Sequence, residues 1–221
     1  MGLAQTIAKL LLEKIELAPF SPRLFDLRMV DVGSGDGKIA LEIAKLIGAK
    51  EVILIDKENR LEVPLTSQVK FFQMDAESEE FFYLVPDADV MTCLRTFHEF
   101  SNPFSMAIKM ALKTRGILIV HDWMEKGWQR ILKEDQQIED AEKRKRELSH
   151  DWEDIQKVRR NHLYTKEEIR HFWNLVALYL EGNLEYRWGI ESYVVIYCSW
   201  IKIKKPDTSP SEFEYYKSAQ L

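Results

Sequence analysis

The chain has little cysteine, no long apolar run and no excess of positive charge, and each shortage removes a class of protein. Its two cysteines, Cys93 and Cys198, each fall within a predicted apolar strand. That fits reduced, buried thiols and a cytosolic setting. No apolar stretch approaches the ~18 residues that a membrane span needs, so no membrane association is expected. Residues 1–24 lack the charged start, apolar run and cleavage site of a secretion signal, and the expected location is the cytoplasm. Met1-Gly2 with Thr6 formally matches a myristoylation pattern, but residues 3–17 read as an ordinary amphipathic helix. A formal charge of -5 argues against binding nucleic acid by overall electrostatics, and leaves room only for a local basic patch.

What the chain does have is enough core for one α/β domain with an appendage, at 221 residues and 46% apolar content. Its most informative run is Met29-Val30-Asp31-Val32-Gly33-Ser34-Gly35-Asp36-Gly37-Lys38, an apolar strand joined to a helix through three alternating glycines. Glycine lacks a Cβ, so Gly33, Gly35 and Gly37 can take positive φ and let a ligand approach the backbone. A helix starting near Asp36 points unpaired N–H groups and about half a positive charge at that ligand. A dinucleotide loop reads G-x-G-x-x-G. Here the third glycine comes one residue early, and Lys38 stands where that loop wants glycine.

Residues 31–37, an acid, one residue, then G-x-G-x-G, resemble the first motif of the class I S-adenosyl-L-methionine-dependent methyltransferases. The resemblance covers residues 25–123 best. It implies an α/β, Rossmann-like seven-stranded sheet in the order 3-2-1-4-5-7-6, the last strand antiparallel, with helices on both faces. Glu51–Asp56 is a buried-type strand closing on an acid, and in the family that acid grips the cofactor ribose. Val69–Ala76 is the next, and by resemblance Asp75 meets the adenine amino group while the backbone N–H of Ala76 meets a ring nitrogen. Asp31, Gly33, Gly35, Gly37, Asp56, Asp75 and Ala76 are thus the expected cofactor residues, with S-adenosyl-L-methionine as the cofactor. The strand order also separates Cys93 from Cys198 by about 10 Å, beyond the ~7 Å that a disulfide allows between Cα atoms.

The fourth strand, Ala88–Leu94, leads into Arg95-Thr96-Phe97-His98-Glu99-Phe100, and the fifth is Gly116–Trp123. Asn102-Pro103 opens an apolar-rich helix between them. This order resembles the branch that holds the quinone-biosynthesis C-methyltransferases and many small-molecule methyltransferases. The polar-Pro-Pro-aromatic loop common among methyltransferases of base amines and glutamine is missing, which favours a small-molecule acceptor. His98, Glu99, His121 and Asp122 are expected just beyond the ends of strands four and five, where an acceptor sits. His98 is the candidate general base, because imidazole titrates near neutral pH. No metal is expected, although Glu99 and Asp122 are the natural oxygen ligands for magnesium.

A helical insert is expected over about 124–162. It carries ten acids and ten Lys or Arg over 125–160, with an apolar stripe that includes Trp128 and Trp152. Its position after the fifth strand suits a lid over the acceptor pocket. The cluster Lys143–Arg146 reads as an ion-paired face or a contact to an acidic partner or RNA. Thr165-Lys166-Glu167-Glu168 is a capping box that starts a helix running to about Leu180. A closing hairpin over Asn183–Trp188 and Tyr193–Ile203 completes a single domain of residues 1–203, and 204–221 reads as a flexible tail. Two readings besides a small-molecule methyltransferase stay open: an RNA or protein methyltransferase, and a non-catalytic subunit that binds a partner through the insert. Homo-oligomerisation is open as well.

Overall fold

The computed structural model of the chain describes residues 2–17, 26–124, 127, 165–180 and 182–199. Trp128, Trp152, the Lys143–Arg146 cluster and the tail over 204–221 therefore lie outside the described residues, as does nearly all of the expected insert.

Seven strands form one sheet: β1 (Arg28–Val32), β2 (Glu51–Asp56), β3 (Val69–Gln73), β4 (Ala88–Leu94), β5 (Thr114–Trp123), β6 (Asn183–Trp188) and β7 (Ser192–Cys198). Their order is β3-β2-β1-β4-β5-β7-β6, as the family resemblance implies. β1 to β5 pair in parallel, and β7 runs antiparallel to both β5 and β6. This is the Rossmann-like methyltransferase fold.

Side chains alternate along each strand and so feed two cores. Val30, Ile53, Met91 and Leu118 face α3 (Glu80–Leu84), α4 (Pro103–Leu112) and α5 (Lys166–Leu180). Met29, Val52, Val90 and Ile117 face α1 (Leu3–Leu17) and α2 (Lys38–Ile47). α1 buries Ala4, Ile7, Ala8, Leu11 and Ile15, the helical spacing of an amphipathic stripe. Helix ends follow local chemistry. Gly48 closes α2 at φ 72°, and Asn102 caps α4 by accepting from the Ser105 N–H at 3.0 Å. In α5 the capping box forms in both directions: Glu168 N–H donates to Thr165 Oγ1 at 3.2 Å, and Thr165 N–H to Glu168 Oε2 at 2.8 Å.

Several boundaries differ from the sequence reading. β5 starts at Thr114, two residues before the expected Gly116, and ends at Trp123 as expected, so His121 and Asp122 lie within the strand and not just beyond it, with β7 pairing as far as Trp123↔Ser192. β3 stops at Gln73, which leaves Asp75 and Ala76 on the following turn. α2 starts at Lys38, directly after its N-cap Gly37, instead of near Asp36. Cys93 and Cys198 are both buried free thiols, held apart by β5 as expected. Among the described residues no helix is long and apolar enough to cross a membrane.

Candidate functional site

All three glycines of the turn take positive φ: 72° at Gly33, 54° at Gly35 and 79° at Gly37. Gly33 and Ser34 both donate backbone N–H bonds to the Ile55 carbonyl, at 2.8 and 3.0 Å, which folds the turn over the end of β2. Gly35 N–H then donates to Asp56 Oδ2 at 2.8 Å, while Asp56 Oδ1 accepts from the Glu58 N–H at 3.0 Å. The glycines have different reasons to be glycine. A Cβ at Gly33 would lie 2.1 Å from the Thr96 side chain, whose Oγ1 donates to the Gly33 carbonyl at 2.9 Å. A Cβ at Gly35 would meet nothing within 4 Å, so this residue faces open space.

Asp31 sits on β1 below this turn, 3% exposed, with Thr92 Oγ1 donating to its Oδ1 at 2.5 Å. Burial drives its carboxyl up to about 7, against the Thr92 hydrogen bond and with help from the charge of Asp56. A carboxylate so poorly solvated is suited to an ammonium partner. Across the sheet edge, Met74 N–H donates to the Asp56 carbonyl at 2.9 Å, which sets the β3 turn beside the glycine turn. Asp75 is exposed there and its Oδ1 accepts from the Glu77 N–H at 2.8 Å. Ala76 is 8% exposed. Asp31, the three glycines, Asp56, Asp75 and Ala76 thus gather at one end of β1, β2 and β3.

His98 lies on a short 3-10 helix, Phe97–Glu99, that follows β4. Its Nδ1 is 2.9 Å from Asp122 Oδ1, its backbone N–H donates to Asp122 Oδ2 at 2.8 Å, and its Nε2 is 3.0 Å from Glu99 Oε1. Burial alone would lower its pKa. The charge and hydrogen bond of Asp122, joined by Glu99, outweigh that and raise it to about 9. His98 is therefore an imidazolium at neutral pH in this arrangement.

His121 behaves in the opposite way and faces the opposite side. Its register partners Leu94 and Val194 belong to the α1 and α2 core, whereas Asp122 pairs with Tyr193 of the other core. Burial lowers the His121 pKa to about 4, reinforced by the nearby Arg95 and countered by Asp122. Among the described residues no group of three or more His, Cys, Asp or Glu is placed to hold a metal ion.

Thr92 and Thr96 are contributors that the sequence reading missed. A lone hydroxyl in the apolar strand Ala88–Leu94 is the signal for the first. Thr96 carries no such signal, since only the folded chain brings it against Gly33.

No protein-family model matches the chain, and no curated protein matches its sequence. Solved structures do match its fold. It is similar to the plantazolicin methyltransferase BamL in complex with a triazolic desmethylPZN analog and SAH, at TM-score 0.62 and 12% identity, over 89% of this chain and 84% of that one. It is also similar to the magnesium protoporphyrin IX methyltransferase of Synechocystis PCC 6803 with bound SAH, at TM-score 0.54 and 14% identity, over 88% and 81%. An O-methyltransferase family protein from Burkholderia thailandensis matches at TM-score 0.52 and 12% identity, over 88% of this chain and 57% of that one.

Proposed function

We propose that the chain is a class I S-adenosylmethionine-dependent methyltransferase acting on a small-molecule acceptor. The observation that carries this reading is the glycine turn: three successive alternate residues at positive φ, tied to Asp56 through the Gly35 N–H, with open space above Gly35. The similarity of the fold to methyltransferases crystallised with SAH supports it.

The residues present suit that cofactor. The buried Asp31 carboxyl gains most from a cationic partner such as the methionyl ammonium. Each Asp56 oxygen accepts one backbone N–H and keeps a second lone pair for a ribose hydroxyl. Asp75 and the Ala76 N–H frame the adenine edge. The bound sulfonium supplies an electrophilic methyl group and departs neutral, so the chain's work is alignment and exclusion of water. Asp122 fixes the His98 ring, and Glu99 occupies its Nε2. His98 acts as the proposed general base only once Glu99 releases that nitrogen and the proton leaves. In this reading the acceptor is a small organic molecule and the compartment is the cytoplasm.

Calorimetry with S-adenosylhomocysteine tests the assignment. Wild type binds it, and Asp56→Ala loses most of that affinity. Wild-type affinity in the variant, or preferential binding of a nicotinamide dinucleotide, overturns it.

A further inference from the structure

Arg95 follows β4 directly and is the one non-glycine residue at positive φ among the described residues, at 62°. For an arginine that conformation costs roughly 1–2 kcal/mol and calls for a reason. Its backbone is held there from two sides. The Arg95 N–H donates to the His121 carbonyl at 2.8 Å, and the next residue, Thr96, is bonded to Gly33 of the glycine turn. The strain thus fixes Arg95 at the junction of the turn and β5.

Its guanidinium lies over the Trp123 ring, 5.1 Å from the centroid, and pairs with no carboxylate among the described residues. A cation–π stack uses the face of the guanidinium. A guanidinium stacked by its face keeps its N–H edges for other partners, in the planar fork that grips a carboxylate with two parallel hydrogen bonds. His121 also packs against Trp123, edge to face, with ring centroids 5.9 Å apart. It is 5% exposed, and its Nδ1 has no hydrogen-bond partner among the described residues. A buried ring nitrogen left unpaired costs about 1–3 kcal/mol, again a cost with no structural return in the protein alone.

Building on the methyltransferase reading above, we propose that Arg95, held flat by Trp123, and His121 form the acceptor subsite, and that the acceptor is a small organic acid. Arg95 takes the carboxylate in its fork, and His121 hydrogen-bonds a second polar group of the same molecule. His121 belongs to the α1 and α2 side of the sheet, the side that also carries Asp31 and Thr92, and Arg95 joins the cofactor turn through Thr96. His98 and Asp122 lie on the other side, so an acceptor seated here is methylated without His98 as its base.

The test uses 4-hydroxybenzoate as the acid probe and 4-hydroxybenzamide as its neutral isostere, titrated by calorimetry into full-length protein saturated with S-adenosylhomocysteine. The acid is expected to bind at least tenfold more tightly than the amide. Arg95→Gln should erase that preference with S-adenosylhomocysteine affinity unchanged, and His121→Asn should weaken acid binding several-fold. Arg95→Gly removes the backbone strain as well as the fork, so it should melt no lower than wild type while losing the acid. Equal binding of acid and amide, no binding of the acid, or full acid binding by Arg95→Gln overturns the subsite. If S-adenosylhomocysteine itself fails to bind, the methyltransferase reading falls separately. The same titrations without it then decide the subsite by whether acid binding depends on Arg95.

Discussion

Asp56 Oδ2 accepts the Gly35 N–H at 2.8 Å, a bond that crosses from the end of β2 to the turn after β1. The carboxylate proposed to meet the ribose is therefore also the group that shapes the glycine turn. Asp56→Ala leaves the Gly35 and Glu58 N–H groups without this acceptor, and a loss of stability of about 1–3 kcal/mol is expected in denaturant melts. Asp56→Asn retains one carboxamide oxygen and should fall between the two in both stability and S-adenosylhomocysteine affinity. An Asn variant as impaired as the Ala variant counts against the turn-shaping role.

Gly35→Ala isolates backbone strain from crowding. The added methyl meets open space, so the cost comes from φ 54° alone and should be about 1 kcal/mol in stability. Cofactor affinity should drop more than stability does, because the methyl occupies the ligand's approach. Equal losses in the two measurements would remove the reason for placing a ligand there.

Asp31 makes the protein less stable as pH rises. Its carboxyl titrates near 3.8 when unfolded and at about 7 when folded, so the penalty for its charge is absent below about pH 4 and complete above pH 7. Asp31→Asn keeps an oxygen for Thr92 and removes that charge. The variant should melt higher than wild type at pH 8, match it near pH 4, and bind the cofactor more weakly. A melting temperature below wild type at pH 8 contradicts this.

His98 gives the complementary window. Its pKa rises from 6.5 to about 9 on folding, so the stability it contributes is full below pH 6.5 and disappears as pH climbs through 9. His98→Gln should cost most at pH 6 and little at pH 10. A difference that does not change between these pH values shows that Asp122 and Glu99 do not hold the imidazolium.

Trp173 is 0% exposed on α5, and its ring lies 5.4 Å from that of Phe97, the residue before His98. Trp173→Ala should cost about 3–5 kcal/mol. Part of the effect should reach the His98 turn and be seen as a shift of the His98 ring signal in NMR spectra of folded protein.

The two-faced burial of the strands and the caps of α4 and α5 were legible because they follow from local patterns: alternation, Asn-Pro, and Thr-x-x-Glu. The sheet order was legible only through the family resemblance that the glycine motif carries. The glycine turn was legible from its spacing. The end of β5 at Trp123 was legible as well, but the place of His121 and Asp122 inside the ladder was not, since they look like a polar strand exit until β7, some seventy residues on, pairs with them. The opposed charge states of His98 and His121 were equally hidden. Both read as neutral-range imidazoles in the sequence, and only the neighbours that folding supplies, Asp122 and Glu99 for one and burial beside Arg95 for the other, drive them apart. The strain at Arg95 has no sequence signal at all.

The pairing of β7 with the last residues of β5 also sets an order of events during synthesis. Asp122↔Tyr193 and His121↔Val194 join the middle of the chain to a strand made much later. A nascent chain emerging residue by residue can close the glycine turn on Asp56 as soon as β2 appears, but β5 keeps an open edge until β7 arrives. Donor-side binding should then precede acceptor-side binding along the ribosome-bound series. Chains released before residue 192 would hold the proposed cofactor end of the site without a fixed place for the proposed acceptor.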